Sequence, residues 1–513
     1  VSMLPDNLGF IFNAALKLAP QLPAVLQDET VITFEELDAR CNRMANALWE
    51  LGVRAGDRVA LMFSNDYRFL ESLFGPMRLG AVSVPLNIKM GDEALAYVIA
   101  DSEAQVLIAN QALADRARAL ADRLPSIRHL IAAGPQIDGT IEYESFLQTA
   151  SPLPRHRKTD PDEICLQPYT SGSTGKPKGV LLAHGGQIWN ADMMRKAKML
   201  DHTERALIAV PLFHKNAMAG AVKPFLLAGG SIVILPGFNA IQVIQSIERY
   251  RVTYLTGVPA MYKMILAEKE ALAQADVSSI RYAMCGSAEV PEALLEEFQS
   301  VFQAPISEGY GLTEGGPVPL TNTRWGLKKR GSCGRAMPDS KVKIVGDDGV
   351  TELGPNQIGE LVTCNPGVAK GYWKLPEITA VKFRDGWLHT GDLMRCDEDG
   401  YYYFIGRKDD MISVAGENVY PKEVEDLLLQ HPNVADAVVV PVNHDLKGAV
   451  PVAFIIEREK GAATEEEIKQ FFLQRGAPYA HPRRVYFFDA LPLGGTGKVD
   501  RGVLKRIAHE RMK

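Results

Sequence analysis

Residues 169–179 have the sequence YTSGSTGKPKG, which places glycines, hydroxyl side chains and two lysines in one short stretch. Glycines let backbone N–H groups approach an anion closely, and hydroxyl and ammonium groups add donors and charge. The natural anion for such a loop is a nucleotide phosphate. The stretch is not a Walker A loop, because Pro177 follows Lys176 where that loop has a magnesium-binding hydroxyl.

Helix and strand patterns alternate on both sides of this loop. The segment TFEELDARCNRMANALWELG has apolar residues at helical spacing, begins at a Thr with Glu residues behind it and ends at Gly52, as a capped helix does. Buried-strand patterns occur at DRVALMF, AVSVPLN, SIVILP and VTYLTGVP. This repetition predicts layered α/β subdomains with largely parallel sheets.

The pattern changes from about Arg330 to short alternating runs broken by Gly, Asp and Pro, which predicts antiparallel strands or a small distorted β-barrel. A helix pattern after Pro421, the strand patterns ADAVVVPV and VPVAFIIE and the helix pattern TEEEIKQFFLQRG then predict a small α+β domain. The predicted fold class is α/β. We expect a large N-terminal domain over residues 1–408 and a small mobile C-terminal domain over residues 409–513.

Composition narrows the function classes. The chain has 513 residues and a formal net charge of −6, with 46% hydrophobic and 23% charged residues, which is ordinary for a globular enzyme of more than one domain. The acidic balance does not favour a nucleic-acid partner. Six cysteines without a C-x-x-C pair, and histidines without H-E-x-x-H spacing, predict neither disulfides nor a structural metal. We expect a cytoplasmic protein with no transmembrane segment, and leave a homodimer open.

Further motifs follow one another in order along the chain. They are PLFH at Pro211–His214, CGSAEV at Cys285–Val290, GYGLTE at Gly309–Glu314, HTGDL at His389–Leu393, GRKDD at Gly406–Asp410 and GGTGKVDR at Gly494–Arg501. With the loop, this ordered set resembles the adenylate-forming superfamily of acyl-CoA synthetases, nonribosomal adenylation domains and beetle luciferases. It is similar in particular to AMP-dependent ligases of the 4-coumarate-, benzoate- and fatty-acid-CoA type. The resemblance covers essentially the whole chain.

The resemblance implies an ATP-dependent acyl-CoA synthetase. A carboxylate attacks the α-phosphate of ATP to give acyl-AMP and pyrophosphate, and the thiol of CoA then displaces AMP. The implied cofactors are ATP, Mg²⁺ and CoA, and the implied partner is a small carboxylic acid. Because two anions react in the first step, the enzyme needs cations and aimed donors where charge develops. The alternative is a stand-alone adenylation enzyme that loads an acyl or amino acid onto a carrier protein.

The resemblance also implies residues that bind the nucleotide. Contacts with the β- and γ-phosphates are implied for Thr170, Ser171, Gly172, Ser173, Thr174, Gly175 and Lys178. Further contacts with ATP or AMP are implied for Gly286, Ser287, Ala288, Gly309, Tyr310, Gly311, Asp392 and Arg407. Gly286, Ser287 and Ala288 would line the adenine and acyl pocket, and Arg407 would touch ribose or phosphate. Tyr310 would stack on adenine, and the two oxygens of Asp392 would accept hydrogen bonds from the ribose diol.

The catalytic residues that the resemblance implies are Lys498, Thr313, Glu314 and His214. Lys498 would bridge the acyl carboxylate and the α-phosphate, and Thr313 would contact the same phosphate. Glu314 would hold Mg²⁺, since a hard cation prefers carboxylate oxygen. His214 would gate the acyl pocket or orient the carboxylate. A lysine acetyltransferase that acts on Lys498 would remove its charge and stop adenylation.

Asp409 lies at the position of the family's hinge, between the two predicted domains. In the second half-reaction the small domain would rotate, and Lys498 would leave the site. Gly416, Glu417 and Asn418 would then border the tunnel for the CoA thiol.

The acyl pocket is expected to be bordered by Trp189, Lys215, Asn216, Met218 and Gly315. The apolar members suit an aryl, cyclic or short- to medium-chain monocarboxylic acid. Lys215 and Asn216 could instead pair with a second polar group of the substrate, and the sequence leaves this open. The stretch PLFHKNAMAG has no carboxylate to pair with an amino acid's ammonium, which favours the CoA ligase over an amino-acid adenylation enzyme.

Overall fold

The computed structural model describes residues 4–155, 157–171, 176–286, 290, 292–414, 417–444, 448–493 and 499–512. The chain folds into two compact units. The first unit contains Val1–Val342 and Thr363–Leu388, and the second contains Lys343–Val362 and His389–Lys513. The domain boundary expected between residues 408 and 409 stays a prediction.

The strands are numbered in chain order. They are β1 (Pro23–Gln27), β2 (Thr30–Thr33), β3 (Arg58–Met62), β4 (Val82–Pro85), β5 (Val106–Ala109), β6 (His129–Ala132), β7 (Ile141–Glu142), β8 (Ile164–Leu166), β9 (Tyr169–Ser171), β10 (Pro177–Gly179), β11 (Leu182–Ala183), β12 (Arg205–Ile208), β13 (Ser231–Ile234), β14 (Tyr254–Gly257), β15 (Tyr282–Cys285), β16 (Ile306–Tyr310), β17 (Leu320–Thr321), β18 (Arg335–Ala336), β19 (Lys341–Val345), β20 (Gly359–Cys364), β21 (Phe383–Arg384), β22 (Trp387–Cys396), β23 (Tyr402–Arg407), β24 (Ile412–Val414), β25 (Glu417–Val419), β26 (Val434–His444), β27 (Gly448–Glu457) and β28 (Arg484–Phe487).

The α-helices are numbered in the same way. They are α1 (Asn13–Leu18), α2 (Phe34–Glu50), α3 (Arg68–Arg78), α4 (Asp92–Ser102), α5 (Ala114–Ala121), α6 (Tyr143–Gln148), α7 (His184–Lys198), α8 (Lys215–Ala217), α9 (Lys223–Ala228), α10 (Ala240–Tyr250), α11 (Pro259–Ala267), α12 (Lys269–Gln274), α13 (Glu292–Phe302), α14 (Pro376–Lys382), α15 (Pro421–Leu428), α16 (Glu465–Leu473) and α17 (Arg501–Arg511). A π-helical segment, Met218–Val222, joins α8 to α9, and short 3-10 helices lie at Leu8–Phe10, Gln111–Leu113 and Lys408–Asp410.

Two sheets of the first unit are built largely from parallel strands. One has the order β18-β17-β16-β15-β14-β12-β13-β1-β2, and the other has the order β11-β8-β4-β3-β5-β6-β7. Strands such as β13 and β15 are buried along their whole length, as parallel strands covered by helices are. The predicted α/β class with parallel sheets is confirmed.

The helix predicted before Gly52 is α2. The hydroxyl of Thr33 accepts a hydrogen bond from the backbone N–H of Glu36 and so caps the first turn. The chain leaves the helix through Gly52, whose φ of +91° lies in the left-handed region that glycine adopts most readily. Both ends of α2 therefore follow from local sequence signals.

The second unit contains a sheet with the order β25-β24-β27-β26, and β28 pairs with β27. Successive residues of β26 face opposite sides of this sheet. Val439 packs in a core cluster with residues of α15 and α16, whereas Val438 and Val440 pack in another cluster with residues of α17. The predicted strands and helices of this α+β region are confirmed.

Among the described residues, none of the helices has the length and apolar character that crossing a membrane requires.

A partly buried ion pair fixes α17 to this sheet. The guanidinium of Arg501 lies 2.7 Å and 3.0 Å from the two carboxylate oxygens of Glu425 and donates to the carbonyl of Val439. Glu425 also accepts from the N–H of Val439 at 2.7 Å. Burial raises the pKa of Glu425, and the Arg501 charge counteracts that rise.

We therefore expect Arg501→Met to lower the free energy of unfolding by about 2 kcal/mol, less than the ~3–5 kcal/mol for a fully buried pair because Arg501 is partly exposed. The loss should be larger at pH 8 than at pH 5, because a protonated Glu425 needs no cation. Urea unfolding at both pH values measures it. Lys460→Met, which removes an exposed partner of Asp489, is the control and should leave the midpoint unchanged. Equal effects of the two substitutions would contradict this role of the pair.

Candidate functional site

The described ends of the predicted phosphate-binding stretch pair with each other, and this pair of strands is called the hairpin below. Strands β9 and β10 pair antiparallel, with Thr170 opposite Lys178 and Tyr169 opposite Gly179. Gly172, Ser173, Thr174 and Gly175 lie outside the described residues. The hairpin therefore brings a hydroxyl and an ammonium side chain, Thr170 and Lys178, to neighbouring positions beside the loop.

The base of the hairpin is anchored by residues that the sequence analysis did not find. The hydroxyl of Tyr169 donates to the carboxylate of Asp101 at 2.6 Å, and the indole N–H of Trp373 donates to the Asp101 carbonyl at 2.8 Å. The backbone N–H of Trp373 also donates to the carbonyl of Gly179 at 2.8 Å. No motif marks Asp101 or Trp373, because these contacts join distant parts of the chain.

The carboxylate of Glu314 lies against this hairpin. Its Oε1 accepts a hydrogen bond from the hydroxyl of Thr170 at 3.4 Å and from the hydroxyl of Tyr372 at 3.0 Å. The Tyr372 ring in turn lies 5.5 Å from the ammonium of Lys178. A carboxylate oxygen held beside the hydroxyl groups of Thr170 and Tyr372 is the kind of ligand that Mg²⁺ prefers, so the residues present fit the predicted ion.

The segment Gly309–Gly315 begins at the end of β16. Tyr310 is buried and Thr313 is partly buried in the turn that follows. A Cβ on Gly311 would lie 2.3 Å from the carbonyl oxygen of Pro317, so this position requires glycine. The close backbone approach fixes the path between Tyr310 and Glu314.

The predicted acyl-pocket residues on α8 contact the predicted adenine side of the site. The ammonium of Lys215 donates to the carbonyl of Gly311. The amide oxygen of Asn216 accepts from the hydroxyl of Thr256 at 2.8 Å, and a Cβ on Gly286 would lie 3.8 Å from the Asn216 amide nitrogen. These contacts place the two sets of residues side by side in the first unit.

The remaining acyl-pocket residues are apolar or lack a side chain. Met218 is buried, and Trp189 on α7 packs against the same core cluster. Gly315 donates its N–H to the Leu312 carbonyl.

The predicted catalytic residue His214 caps α8, with Nδ1 as acceptor for the N–H of Asn216 at 3.3 Å.

The predicted ribose-binding residues belong to the second unit. Asp392 on β22 pairs with Arg407 on β23, and the Arg407 Nε lies 3.1 Å from the Asp392 carboxylate. Asp392 is buried, whereas the side chain of Arg407 is half exposed. The pair therefore offers a fixed carboxylate with a guanidinium directly beside it.

Glu360 supports these strands and was missed by the sequence analysis. It accepts a hydrogen bond from the N–H of Gly391 at 2.9 Å and from the ammonium of Lys408 at 3.2 Å. Although burial raises the pKa of Glu360, the Gly391 hydrogen bond and the Lys408 charge produce a net lowering. Glu360 therefore stays ionised and holds Gly391 beside Asp392.

Other predicted residues of the second unit are exposed. Asp409 lies in the 3-10 helix after β23, and Glu417 and Asn418 lie on β25, with Asn418 opposite Ser413. The predictions for Ser287, Ala288, Gly416 and Lys498 lie outside the described residues. The roles of all these residues stay predictions.

The sequence matches two family descriptions. "AMP-binding enzyme" matches residues 12–373, and "AMP-binding enzyme C-terminal domain" matches residues 423–498. A feruloyl-CoA synthase of Amycolatopsis sp is 38% identical over 96% of both chains. An indoleacetate–CoA ligase of Aromatoleum aromaticum is 34% identical, also over 96% of both chains.

A solved structure shows the same fold over the full length. The anthranilate CoA ligase AuaEII, in complex with anthranoyl-AMP, superimposes with a TM-score of 0.90 at 30% identity, over 99% of this chain and 98% of the other.

The chain belongs to the AMP-binding enzyme family of adenylate-forming proteins. It is an AMP-forming acid–thiol ligase, which makes an acyl-CoA from a carboxylic acid, ATP and CoA through an acyl-adenylate, with Mg²⁺. The family, enzyme class and cofactors predicted from the sequence are confirmed.

Glu308 is a further titratable group at this site, one residue before Gly309. Burial raises its pKa to about 7, against the lowering effect of a hydrogen bond with the Val290 backbone. In the unfolded chain the Glu308 carboxyl should ionise near pH 4.5. The folded state therefore loses stability as the pH rises from about 4.5 to 7.

Because glutamine cannot ionise, we expect Glu308→Gln to remove this loss. The melting temperature of the variant minus that of the wild type should therefore be more positive at pH 8 than at pH 5. Thermal unfolding at both pH values measures it, with Glu270→Gln, at an exposed position, as the control. Parallel pH profiles for Glu308→Gln and the wild type would show that Glu308 does not carry this dependence.

Proposed function

We propose that the acid substrate is an aromatic monocarboxylic acid, with the carboxyl group on the ring or on a short side chain. The relatives whose names specify feruloyl-CoA, indoleacetate and anthranilate act on acids of this kind. The proposal narrows the sequence expectation, which also included cyclic and short- to medium-chain acids.

One structural observation carries the monocarboxylic part of the proposal: both polar side chains of the acyl pocket, Lys215 and Asn216, make hydrogen bonds within the protein. The Lys215 ammonium is bound to the Gly311 carbonyl, and the Asn216 amide oxygen is bound to Thr256. A second carboxylate of a substrate would need a partner, because burying an unpaired charge is costly. Engagement of both side chains therefore favours an acid whose far end is uncharged.

We further propose the residue roles implied by the family resemblance. The loop with Thr170 and Lys178 binds the β- and γ-phosphates, and Glu314 would hold Mg²⁺. Tyr310 stacks on adenine, Asp392 binds ribose, and Arg407 binds ribose or phosphate. These roles are supported by the hairpin geometry, the Glu314 contacts and the buried carboxylate of Asp392.

The chemistry then needs charge neutralisation more than covalent catalysis. The acid's carboxylate forms a bond to the α-phosphorus and pyrophosphate leaves, while Thr313 donates to the α-phosphate and Lys498 offsets the repulsion between the two anions. His214 orients the carboxylate. The CoA sulfur then bonds to the acyl carbon, AMP leaves, and the Gly416–Asn418 region borders the thiol path after rotation about Asp409.

We also retain as proposals a cytoplasmic location, a homodimer and a lysine acetyltransferase that acts on Lys498.

Carboxylate-dependent exchange of labelled pyrophosphate into ATP tests the substrate class. Ferulate, indole-3-acetate and anthranilate should support exchange with kcat/KM about 10-fold or more above that of a medium-chain aliphatic monocarboxylic acid, an aliphatic dicarboxylic acid or an amino acid, and CoA should then give the thioester. A larger kcat/KM for the dicarboxylic acid would contradict the proposal, because it would require a free cation in the acyl pocket.

Glu314→Gln tests the metal-binding role. The amide keeps the shape but removes the negative charge, so we expect pyrophosphate exchange to fall by about 10²–10³, the scale of losing one preorganised electrostatic group. The Mg²⁺ concentration for half-maximal exchange should rise as well. Glu270→Gln is the matched control at an exposed position. An unchanged Mg²⁺ dependence of Glu314→Gln would assign the residue a structural role only.

A further inference from the structure

We propose that Lys198, a buried lysine outside all the residues assigned above, is a positioning residue that fixes the strands carrying the adenine side of the nucleotide site. The inference rests on the proposed stacking of adenine on Tyr310, because it concerns how the protein holds that residue in place.

Lys198 is the last residue of α7 and is 1% exposed. Its ammonium donates to the Tyr282 hydroxyl at 2.8 Å, the Thr321 hydroxyl at 3.0 Å and the Asn322 carbonyl at 2.5 Å. An ammonium group has three donors, and here each has an acceptor. The side chain is thus fully engaged inside the first unit.

These partners lie on the two strands that flank β16, or directly after one of them. Tyr282 is on β15, and its hydroxyl hydrogen-bonds with Ser307 on β16. Thr321 is on β17, where it pairs with Gly309 of β16. One ammonium therefore connects β15 to β17 across β16, and β16 ends at Tyr310.

The connection continues through the backbone next to Tyr310. The backbone carbonyl of Asn322 accepts from Lys198. The side-chain amide of Asn322 donates to the Glu308 carbonyl at 3.0 Å and to the Ser332 carbonyl at 2.9 Å. Strand β16 is thus held at Glu308 and Gly309, immediately before Tyr310. A strand that has lost this hold can shift by a fraction of an ångström, which weakens a stacking contact.

Burial makes this arrangement costly. It lowers the pKa of Lys198 to about 7, with a further lowering by the Lys328 charge. The acceptors are two hydroxyls and a carbonyl, and hydroxyls both donate and accept. The contacts therefore persist when Lys198 loses its proton, so the connection between the strands does not depend on the charge.

Lys223 provides a matched comparison in the same unit. It is also 1% exposed, and its ammonium donates to the side-chain oxygen of Gln187 at 2.6 Å, between α9 and α7. This contact does not involve β15, β16 or β17. The two lysines are equally buried, but only the contacts of Lys198 lead to the strand that carries Tyr310.

The test compares Lys198→Met with Lys223→Met in the full-length enzyme. Lys198→Met should raise the KM for ATP in pyrophosphate exchange and the Kd for AMP about tenfold, with less than a threefold change in the KM for the carboxylic acid. Lys223→Met should leave the ratio of the two KM values unchanged. Thr321→Val, which removes one acceptor and nearly preserves shape, should raise the Kd for AMP about threefold and serves if Lys198→Met fails to fold.

Two results would overturn the inference. One is an AMP affinity that Lys198→Met and Thr321→Val leave unchanged. The other is that Lys198→Met and Lys223→Met lower the affinity for AMP and the affinity for the acid to the same extent, which would reflect a general loss of packing in the first unit. Tyr310→Ala separates this inference from the proposed site. If Tyr310→Ala binds AMP normally, the proposed adenine stacking is wrong. If Tyr310→Ala binds AMP weakly while the other two variants bind normally, only the Lys198 inference fails.

Discussion

The carboxylate of Glu314 is the point at which three separate parts of the first unit meet. It accepts from Thr170 at the edge of the predicted phosphate-binding hairpin and from Tyr372, more than fifty residues further along the chain than Glu314. The path to Glu314 from the parallel sheet is set by β16 and by Gly311, where a side chain would collide with Pro317. In the proposed role, this carboxylate would act beside the triphosphate through Mg²⁺, because two anions repel each other unless a cation lies between them.

The site depends on polar groups that burial makes expensive. Asp392 and Lys198 are buried and Glu308 is partly buried, and taking a charged group out of water is costly at each position. Each has a neighbour of suitable chemistry: Arg407 for Asp392, a backbone hydrogen bond for Glu308 and three acceptors for Lys198. In each unit, therefore, stability is given up to fix a polar group on or against a strand that carries predicted nucleotide-binding residues.

Local patterns in the sequence located many elements but could not arrange them. Both ends of α2 follow from Thr33 and Gly52, and α16 begins with a Thr464–Glu467 capping box. By contrast, β1 pairs with β13 through Val25 and Ile232, and nothing in either segment specifies the other. Strand order is set by packing between distant segments, and the periodic pattern of apolar residues within one segment contains no information about its partner.

The same distinction holds for the site. Thr170 and Glu314 belong to dense motifs and could be proposed from sequence, whereas Asp101 and Tyr372 lie outside any motif and act through contacts far along the chain. Their side chains also have ordinary structural uses, since a tyrosine hydroxyl or a helix-end aspartate occurs in most folds. A motif identifies the residues that touch the ligand because chemistry restricts their type. The residues behind them need only fit the geometry, so the structure is required to find them.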